Sequence, residues 1–249
     1  MYQERFVRKE YKYYVPWYSI DALRERILLH MDYDPFCLEM SDRMYHVRSI
    51  YYDTPHYLFY YEKLAGIKIR KKLRIRTYNE LTDNSPAFLE IKRKFDNYIF
   101  KDRVRIPLAE ATNLLAGKSV VIGEKANNSS RVALNKFVYL INNLNLRSSI
   151  LVTYEREAFV GRENPTVRAT FDKNVRSYPQ PALEEIFREQ DLTTFASQNF
   201  ILELKFYDRM PYWARQIVRD FRLHLQSISK YCNCLETWHP SMRRIVNTL

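Results

Sequence analysis

The chain has 249 residues, with 40 lysines and arginines against 29 aspartates and glutamates, and a formal net charge of +11. Hydrophobic residues make up 46% of it and aromatic residues 15%, which is ample for a packed core and excludes a disordered basic tail. Its four glycines, at positions 66, 117, 123 and 161, lie too far apart to form a glycine-rich phosphate loop. A Rossmann or P-loop nucleotide site is therefore excluded, and any phosphate must be held by side chains.

Nothing in the sequence indicates secretion or membrane insertion. The amino terminus carries charges throughout, without the apolar segment of a signal peptide, and no apolar run approaches the roughly 18 residues of a membrane span. Three cysteines, two of them in a CxC pair, suggest neither a disulfide framework nor a zinc knuckle. We therefore expect a soluble protein of the cytoplasm, with no membrane span of its own.

Hydrophobic periodicity predicts an α+β chain of eight antiparallel strands with intervening helices. In chain order, the predicted elements are strand 5–15, helix 19–30, strand 45–53, helix 54–63, strands 67–78, 88–95 and 100–106, helices 109–116 and 131–144, strands 150–160, 166–175 and 199–207, and helix 211–227. The polar stretches 124–130 and 177–194 are expected to be surface loops. Because no linker or repeat separates these elements, we expect a single domain over residues 1–249.

The strand predicted at 67–78 has one cationic face. Its alternating basic residues are Lys68, Arg70, Lys72, Arg74 and Arg76, and the other face carries isoleucines and a leucine. Strands 88–95 and 100–106 repeat the pattern, with basic residues at positions 92, 94, 101, 103 and 105. Such crowding of like charges is destabilising unless an anion relieves it, whereas a merely solvated face normally mixes both signs.

Two arrangements could use these cationic faces: a sheet that grips a nucleic-acid backbone, or a barrel whose interior the cations line. The interior arrangement requires acidic residues at matching positions to hold a metal. Glu90 and Glu203 each precede a lysine by two residues, and Glu10 repeats this E-x-K spacing near the amino terminus. An RNA-binding face would place aromatic residues among the cations for base stacking, but here the face has only a terminal Tyr78, so no specific nucleic acid is expected.

Nine motifs run in order from residue 8 to about residue 234: RKEYKYYV, VRSIYYDTPHYLFYYEKL, KLRIRTY, FLEIKRK, FKDRVRIPL, TYEREAF, VRATFDKNVR, FILELKF and SISKY. In this order they resemble the VTC-domain polyphosphate polymerases of the CYTH, or triphosphate-tunnel metalloenzyme, superfamily. The resemblance implies an eight-stranded antiparallel β-barrel with flanking helices, whose basic tunnel binds triphosphate or polyphosphate. It also implies a Mn²⁺ or Mg²⁺ ion held by a tunnel glutamate.

The resemblance carries roles over to individual residues. The residues with an implied catalytic role are Arg74, Arg76, Lys92, Arg156, Arg168 and Glu203, and Glu203 is also the implied metal ligand. Those with an implied substrate-binding role are Lys12, Lys63, Lys101, Tyr154 and Lys230, and the E-x-K spacing adds Lys205, Glu10 and Glu90 as substrate-binding candidates. Tyr154 looks like the family's aromatic residue near the nucleotide base.

Two positions depart from the pattern of the wider superfamily. Its first strand reads ExExK, but Arg8 replaces the first acid here, which is more similar to the VTC branch than to the hydrolytic branch. Ser227 stands where the family can show a second lysine near Lys230. Overall the chain resembles the isolated catalytic domain of bacterial relatives, without a sensor domain or membrane helices.

The leading functional hypothesis is a metal-dependent polyphosphate polymerase that transfers the γ-phosphate of ATP to a growing inorganic polyphosphate chain. A triphosphate hydrolase or cyclase on the same tunnel is a second hypothesis. A non-catalytic module that binds polyphosphate, inositol phosphates or RNA is a third. A separate membrane partner that takes up the product is left open.

Overall fold

The computed structural model describes residues 8–82, 85–96, 98–118, 120 and 127–242. Its strands are β1 (Arg8–Pro16), β2 (Met31–Tyr33), β3 (Tyr45–Asp53), β4 (Ile69–Tyr78), β5 (Pro86–Phe95), β6 (Tyr98–Pro107), β7 (Arg147–Gly161), β8 (Arg168–Pro179), β9 (Thr193–Thr194) and β10 (Asn199–Tyr207). Its α-helices are α1 (Ile20–Leu28), α2 (Pro35–Leu38), α3 (Leu58–Leu64), α4 (Leu108–Leu115), α5 (Asn128–Asn143), α6 (Tyr212–Asp220) and α7 (Lys230–Trp238). Short 3₁₀ helices span Trp17–Ser19 and Leu183–Phe187. Within these ranges, none of the helices is both long and apolar enough to cross a bilayer.

The α+β class is confirmed, and all eight predicted strands and five predicted helices are present with adjusted ends. Residues 5–7 of the first predicted strand and 124–126 of a predicted loop lie outside the described residues. The helix predicted at 211–227 is too long: it ends at Asp220, because Arg222 adopts a left-handed φ of 51° and Leu223 N donates to the Val218 carbonyl. Helix α7 was not predicted.

The sequence predicted a surface loop at 177–194, but the structure has ordered and partly buried elements there. Strand β8 continues to Pro179, and the 3₁₀ helix that follows buries Leu183 and Ile186 in the hydrophobic core. Glu189 then pairs with Arg48, whose side chain is buried, and with Arg176. Two apolar anchors and an ion pair with the buried Arg48 therefore hold a segment that looks polar overall.

Contacts between residues divide the chain into two compact units, each built from three separate segments. The first unit comprises Met1–His46, Tyr154–Val175 and Thr194–Ser229, and the second comprises Val47–Thr153, Arg176–Thr193 and Lys230–Leu249. Strands β3, β7 and β8 contribute residues to both units. The expected single domain stays a prediction.

In the first unit, the antiparallel strands follow the order β1, β10, β8, β7. Alternate residues such as Tyr13, Leu202 and Leu204 pack into a core with helices α1 and α6. Since strand side chains alternate between faces, Lys12 and Glu203, directly opposite each other in the register, point away from that core.

In the second unit, the antiparallel order is β7, β3, β4, β5, β6. Leu73, Ile91 and Val104 belong to its core, which helices α4 and α5 cover with Ala111 and Phe137. The alternation that buries these apolar residues places the basic residues of β4, β5 and β6, except Lys71 and Arg93, on the opposite sheet face.

Candidate active site

Glu90 is the centre of a cation cluster in the second unit. Its side chain is only 1% exposed, and Arg74 Nε donates to Glu90 Oε2 at 2.6 Å. Lys101 Nζ lies 2.7 Å, and Arg103 Nε 3.3 Å, from Glu90 Oε1. Burial would raise the pKa of Glu90, but Arg74, Arg76 and Lys101 together hold that pKa well below its usual range. Glu90 is therefore a carboxylate that orients cations.

The strand register explains why these cations meet. The residues directly opposite one another across β3, β4, β5 and β6 are Tyr51, Arg74, Glu90 and Arg103. Lys72, Lys92 and Lys101 form the neighbouring row, and Arg76 donates to Ser49 Oγ at 2.9 Å. Burial and the nearby arginines lower the pKa of Lys101 despite its contact with Glu90. The face thus carries more positive charge than its one carboxylate neutralises.

Tyr51 extends this cluster and was missed by the sequence reasoning. Arg74 Nη1 donates to the Tyr51 hydroxyl at 3.0 Å, and the ring stacks on Tyr231 at a centroid distance of 5.1 Å. The Tyr231 hydroxyl in turn donates to Asp53. Burial raises the pKa of Tyr51, but Arg74, Arg76 and Lys72 outweigh it and bring that pKa to about 8. The signal that could have found Tyr51 is its period-two spacing with Asp53 in the SIYYD motif.

In the first unit, two E-x-K motifs pair with each other. The antiparallel register sets Lys12 opposite Glu203 and Glu10 opposite Lys205. Lys12 Nζ lies 2.9 Å from Glu10 Oε1 and 3.6 Å from Glu203 Oε2, and Lys205 contacts Glu203 as well. Burial would lower the pKa of Lys12, but Glu203 and Glu10 raise it well above its usual range. The two motifs therefore form one compact group of alternating charges.

Two further arginines of the first unit have acidic partners that the sequence reasoning missed. Arg156 donates through Nε and Nη2 to both oxygens of the buried Asp172, at 2.6 and 2.8 Å, and lies 5.2 Å from the ring centroid of Tyr154. Arg168 pairs with Asp34, which also caps α2 by accepting from Phe36 N. Burial would lower the pKa of Arg156, but Asp172 holds it above its usual value. Arg168 and Asp172 lie an even number of residues apart in RATFD and so share one strand face, and this spacing was the sequence signal that could have identified Asp172.

The first unit also contains a cavity of about 260 Å³ beside this group. Its charged lining residues are Arg8, Asp34, Arg156, Arg168 and Lys205. Thr170 and Tyr45 add hydroxyl groups. Three of these cations are already paired, Arg156 with Asp172, Arg168 with Asp34 and Lys205 with Glu203, so the excess of positive charge around this volume is small.

The remaining predicted residues lie in the second unit. Lys63 is half-buried in the last turn of α3, Lys92 is half-buried on β5, and Lys230 is buried at the start of α7. The structure brings Arg74, Arg76, Lys101 and Glu90 together there, and in the first unit it groups Lys12, Glu10, Glu203 and Lys205. The assignment of all these residues to one site stays a prediction.

The metal implied by the resemblance can be tested against the donors present. Glu203 offers carboxylate oxygens, the ligand type that Mn²⁺ and Mg²⁺ prefer. Over the described part of the chain, no three His, Cys, Asp or Glu side chains gather into a ready-made metal site. Glu203 would supply one carboxylate to such an ion, and its role as the metal ligand stays a prediction.

Residues 7–239 match the VTC domain family. The chain belongs to this family. A search of curated protein sequences finds no significant match. Among solved structures, this VTC domain is similar to a putative adenylate cyclase from Bacillus halodurans, with a TM-score of 0.50 and 12% identity over 90% of this chain and 93% of that chain.

Two other solved structures align with the VTC domain over most of their length. The PH1819 protein from Pyrococcus horikoshii OT3 gives a TM-score of 0.46 and 15% identity over 92% of this chain and 97% of that chain. A putative adenylyl cyclase from Hippeastrum, described as having a dominant triphosphatase activity, gives 0.45 and 12% over 90% and 93%. At these identities, the Bacillus halodurans structure supports the fold alone.

Proposed function

We propose that this VTC domain is a metal-dependent polyphosphate polymerase that transfers the γ-phosphate of ATP to a growing inorganic polyphosphate chain. The observation that carries the proposal is the charge of one sheet face in the second unit. On strands β4, β5 and β6 this face carries a single carboxylate, Glu90, among nine cations: Arg70, Lys72, Arg74, Arg76, Lys92, Lys94, Lys101, Arg103 and Arg105. A polyanion of regular spacing is the ligand that such an array would bind.

The protein forms no covalent bond to the transferred phosphate in this reaction. An oxygen of the terminal chain phosphate attacks the γ-phosphorus of ATP, and the bond from that phosphorus to the β–γ bridging oxygen breaks, so ADP leaves. The attacking oxygen is already anionic, so no side-chain base is needed. Arg74 and Arg76 would bind the equatorial oxygens of the transferred group and hold it in line for attack. Glu203, in the first unit, is the residue that would hold a divalent ion, and such an ion would supply charge neutralisation to phosphate oxygens.

The hydrolase hypothesis is the alternative that the same residues could serve. Glu10 and Glu203 both lie beside Lys12, and paired carboxylates near a phosphate could orient an attacking water. The two reactions differ only in the nucleophile, which is a phosphate oxygen in one case and water in the other. Product analysis therefore separates them more sharply than any binding measurement.

The test is to incubate the purified chain with ATP and Mn²⁺ and to analyse the products by gel and by nucleotide chromatography. The proposal predicts long polyphosphate chains and one ADP for each phosphate added. Orthophosphate released from tripolyphosphate, without chain growth, would replace the polymerase with a hydrolase. Tight tripolyphosphate binding without turnover would make the protein a binding module.

Substitution of Arg74 ties the activity to the cation cluster. We expect Arg74→Ala to reduce chain synthesis by about a hundredfold or more, because it removes a charge-bearing donor aimed at the reacting phosphate. Arg74→Lys keeps the charge but loses the bidentate geometry, so it should recover only part of the rate. Arg147→Ala, which removes an exposed cation at the start of β7, is the matched control and should retain full synthesis. Equal losses in both alanine variants would contradict the proposed site.

A further inference from the structure

One end of the β4–β5–β6 sheet exposes a cluster of large apolar side chains. Ile69, Phe95 and Tyr98 lie directly opposite one another in the register, and their exposed fractions are 58%, 55% and 45%. The complete cluster, here called the apolar tip, consists of Ile67, Ile69, Phe95, Tyr98, Ile99 and Phe100. Single exposed apolar residues are ordinary on protein surfaces, but a contiguous group of this size marks an interaction site.

The apolar tip continues the core beyond the point where helices cover it. Ile69 shares a strand face with Leu73, which is completely buried in the core of the second unit. Phe95 stands in the same relation to the buried Ile91. Ile99, however, lies directly opposite Lys94 and therefore points to the other face of the sheet. Apolar side chains thus project from both faces of a hairpin end.

The charges around the apolar tip are mostly positive. The basic residues interleaved with it are Lys68, Arg70, Lys71 and Lys94. In the described stretches 67–72, 94–96 and 98–101, the only acid is Asp96. Aromatic and aliphatic side chains surrounded by cations are the combination that binds at the interface of an anionic membrane, where the rings enter the headgroup region and the cations meet lipid phosphates.

We propose that the apolar tip docks on the surface of an anionic lipid bilayer. The two-faced arrangement favours this partner over a protein groove, because a groove that covered Phe95 and Tyr98 would leave Ile99 in water. A bilayer surrounds an inserted hairpin end on both sides. The excess of cations selects membranes that contain acidic lipids. The interaction is peripheral, with side chains in the interface, and it stands independently of the proposed polymerase activity.

The test is co-sedimentation of the full chain with phosphatidylcholine vesicles that contain about a third phosphatidylserine. Because a net charge of +11 favours any anionic surface, the aromatic residues must be tested separately from the charges. Phe95→Ser combined with Tyr98→Ser should weaken vesicle binding by about tenfold or more, since it removes the inserted apolar area. Lys68→Gln combined with Lys94→Gln should weaken it by about tenfold or more through the lost attraction.

The matched control is Tyr18→Ser combined with Tyr212→Ser, which removes two exposed aromatic residues elsewhere and should leave binding unchanged. Thermal melting checks that every variant is folded. The proposal is overturned if the native chain does not sediment with the anionic vesicles, or if the Phe95 and Tyr98 double variant binds them as well as the native chain does. It is also overturned if the apolar tip instead mediates self-association, seen as a dimer in light scattering that the same double variant abolishes.

Discussion

Replacing Glu90 with glutamine tests whether a buried carboxylate holds the cation cluster together. The substitution keeps the shape of the side chain but removes the negative charge that Arg74, Lys101 and Arg103 approach within 3.3 Å. Removing one partner of a buried ion pair costs about 3–5 kcal/mol, because the other charge is left uncompensated. Here the side chains of Lys101 and Arg103 are 45% and 38% exposed, so water screens part of the repulsion. We therefore expect a loss of about 3 kcal/mol.

The assay is thermal unfolding with and without tripolyphosphate. A loss of about 3 kcal/mol lowers the Tm by roughly 6–12 °C in a protein of this size. Tripolyphosphate should raise the Tm of Glu90→Gln more than that of the native chain, because the added anion restores the missing counter-charge. Asp102→Asn is the control: Asp102 lies on the opposite face of β6, paired with Arg93 and Lys136 at 2.8 and 3.3 Å, and its loss should cost less than about 1 kcal/mol.

The pH dependence of the Tm of the native chain and of Glu90→Gln tests whether the lost carboxylate charge causes the destabilisation. The pKa of Glu90 is lowered in the folded chain, so its ionic contribution is complete above the unfolded value near 4.5 and is lost as the pH falls through the folded pKa. The difference in Tm between the native chain and Glu90→Gln should thus be constant from about pH 6 to 8 and shrink under acid conditions. An unchanged Tm in Glu90→Gln, or an equal response of both proteins to tripolyphosphate, would refute the reasoning.

Three other substitutions have defined outcomes. An ultraviolet titration of the native chain should show one phenol ionising near pH 8 that is missing in Tyr51→Phe, and identical titrations of the two proteins would contradict this. The native chain should also gain stability relative to Tyr51→Phe as the pH rises from about 8 towards 10. Asp172→Asn should cost about 3 kcal/mol in urea unfolding, because it leaves the largely buried Arg156 without its bidentate partner; a change below about 1 kcal/mol would show that the pair is dispensable. Glu203→Gln should raise the Mn²⁺ concentration needed for half-maximal chain synthesis by about tenfold or more, and an unchanged Mn²⁺ requirement would remove Glu203 as the metal ligand.

The E-x-K motifs show which features of the site could be predicted from the sequence and which could not. Their spacing correctly placed each acid and its lysine on one strand face, because the side-chain period of a strand is a local property. It could not reveal that Lys12 stands opposite Glu203 while Arg103 stands opposite Glu90, since these pairings depend on the register of strands far apart in sequence. Asp172 was overlooked for the same reason, because its partner Arg156 comes from a different strand.

The sequence by itself determined the class of the fold, the positions of its eight longer strands and the basic character of one face of several of them. Those features follow from period-two alternation and from the order of the family motifs, and both are properties of the linear sequence. The tertiary structure decided which charges neutralise one another, that Tyr51 lies among three cations, and that a 3₁₀ helix anchors residues 183–187. The physical reason is that a carboxylate or phenol acquires its pKa and its partners from neighbours in space, and the neighbours of a strand residue are set by non-local pairing and burial.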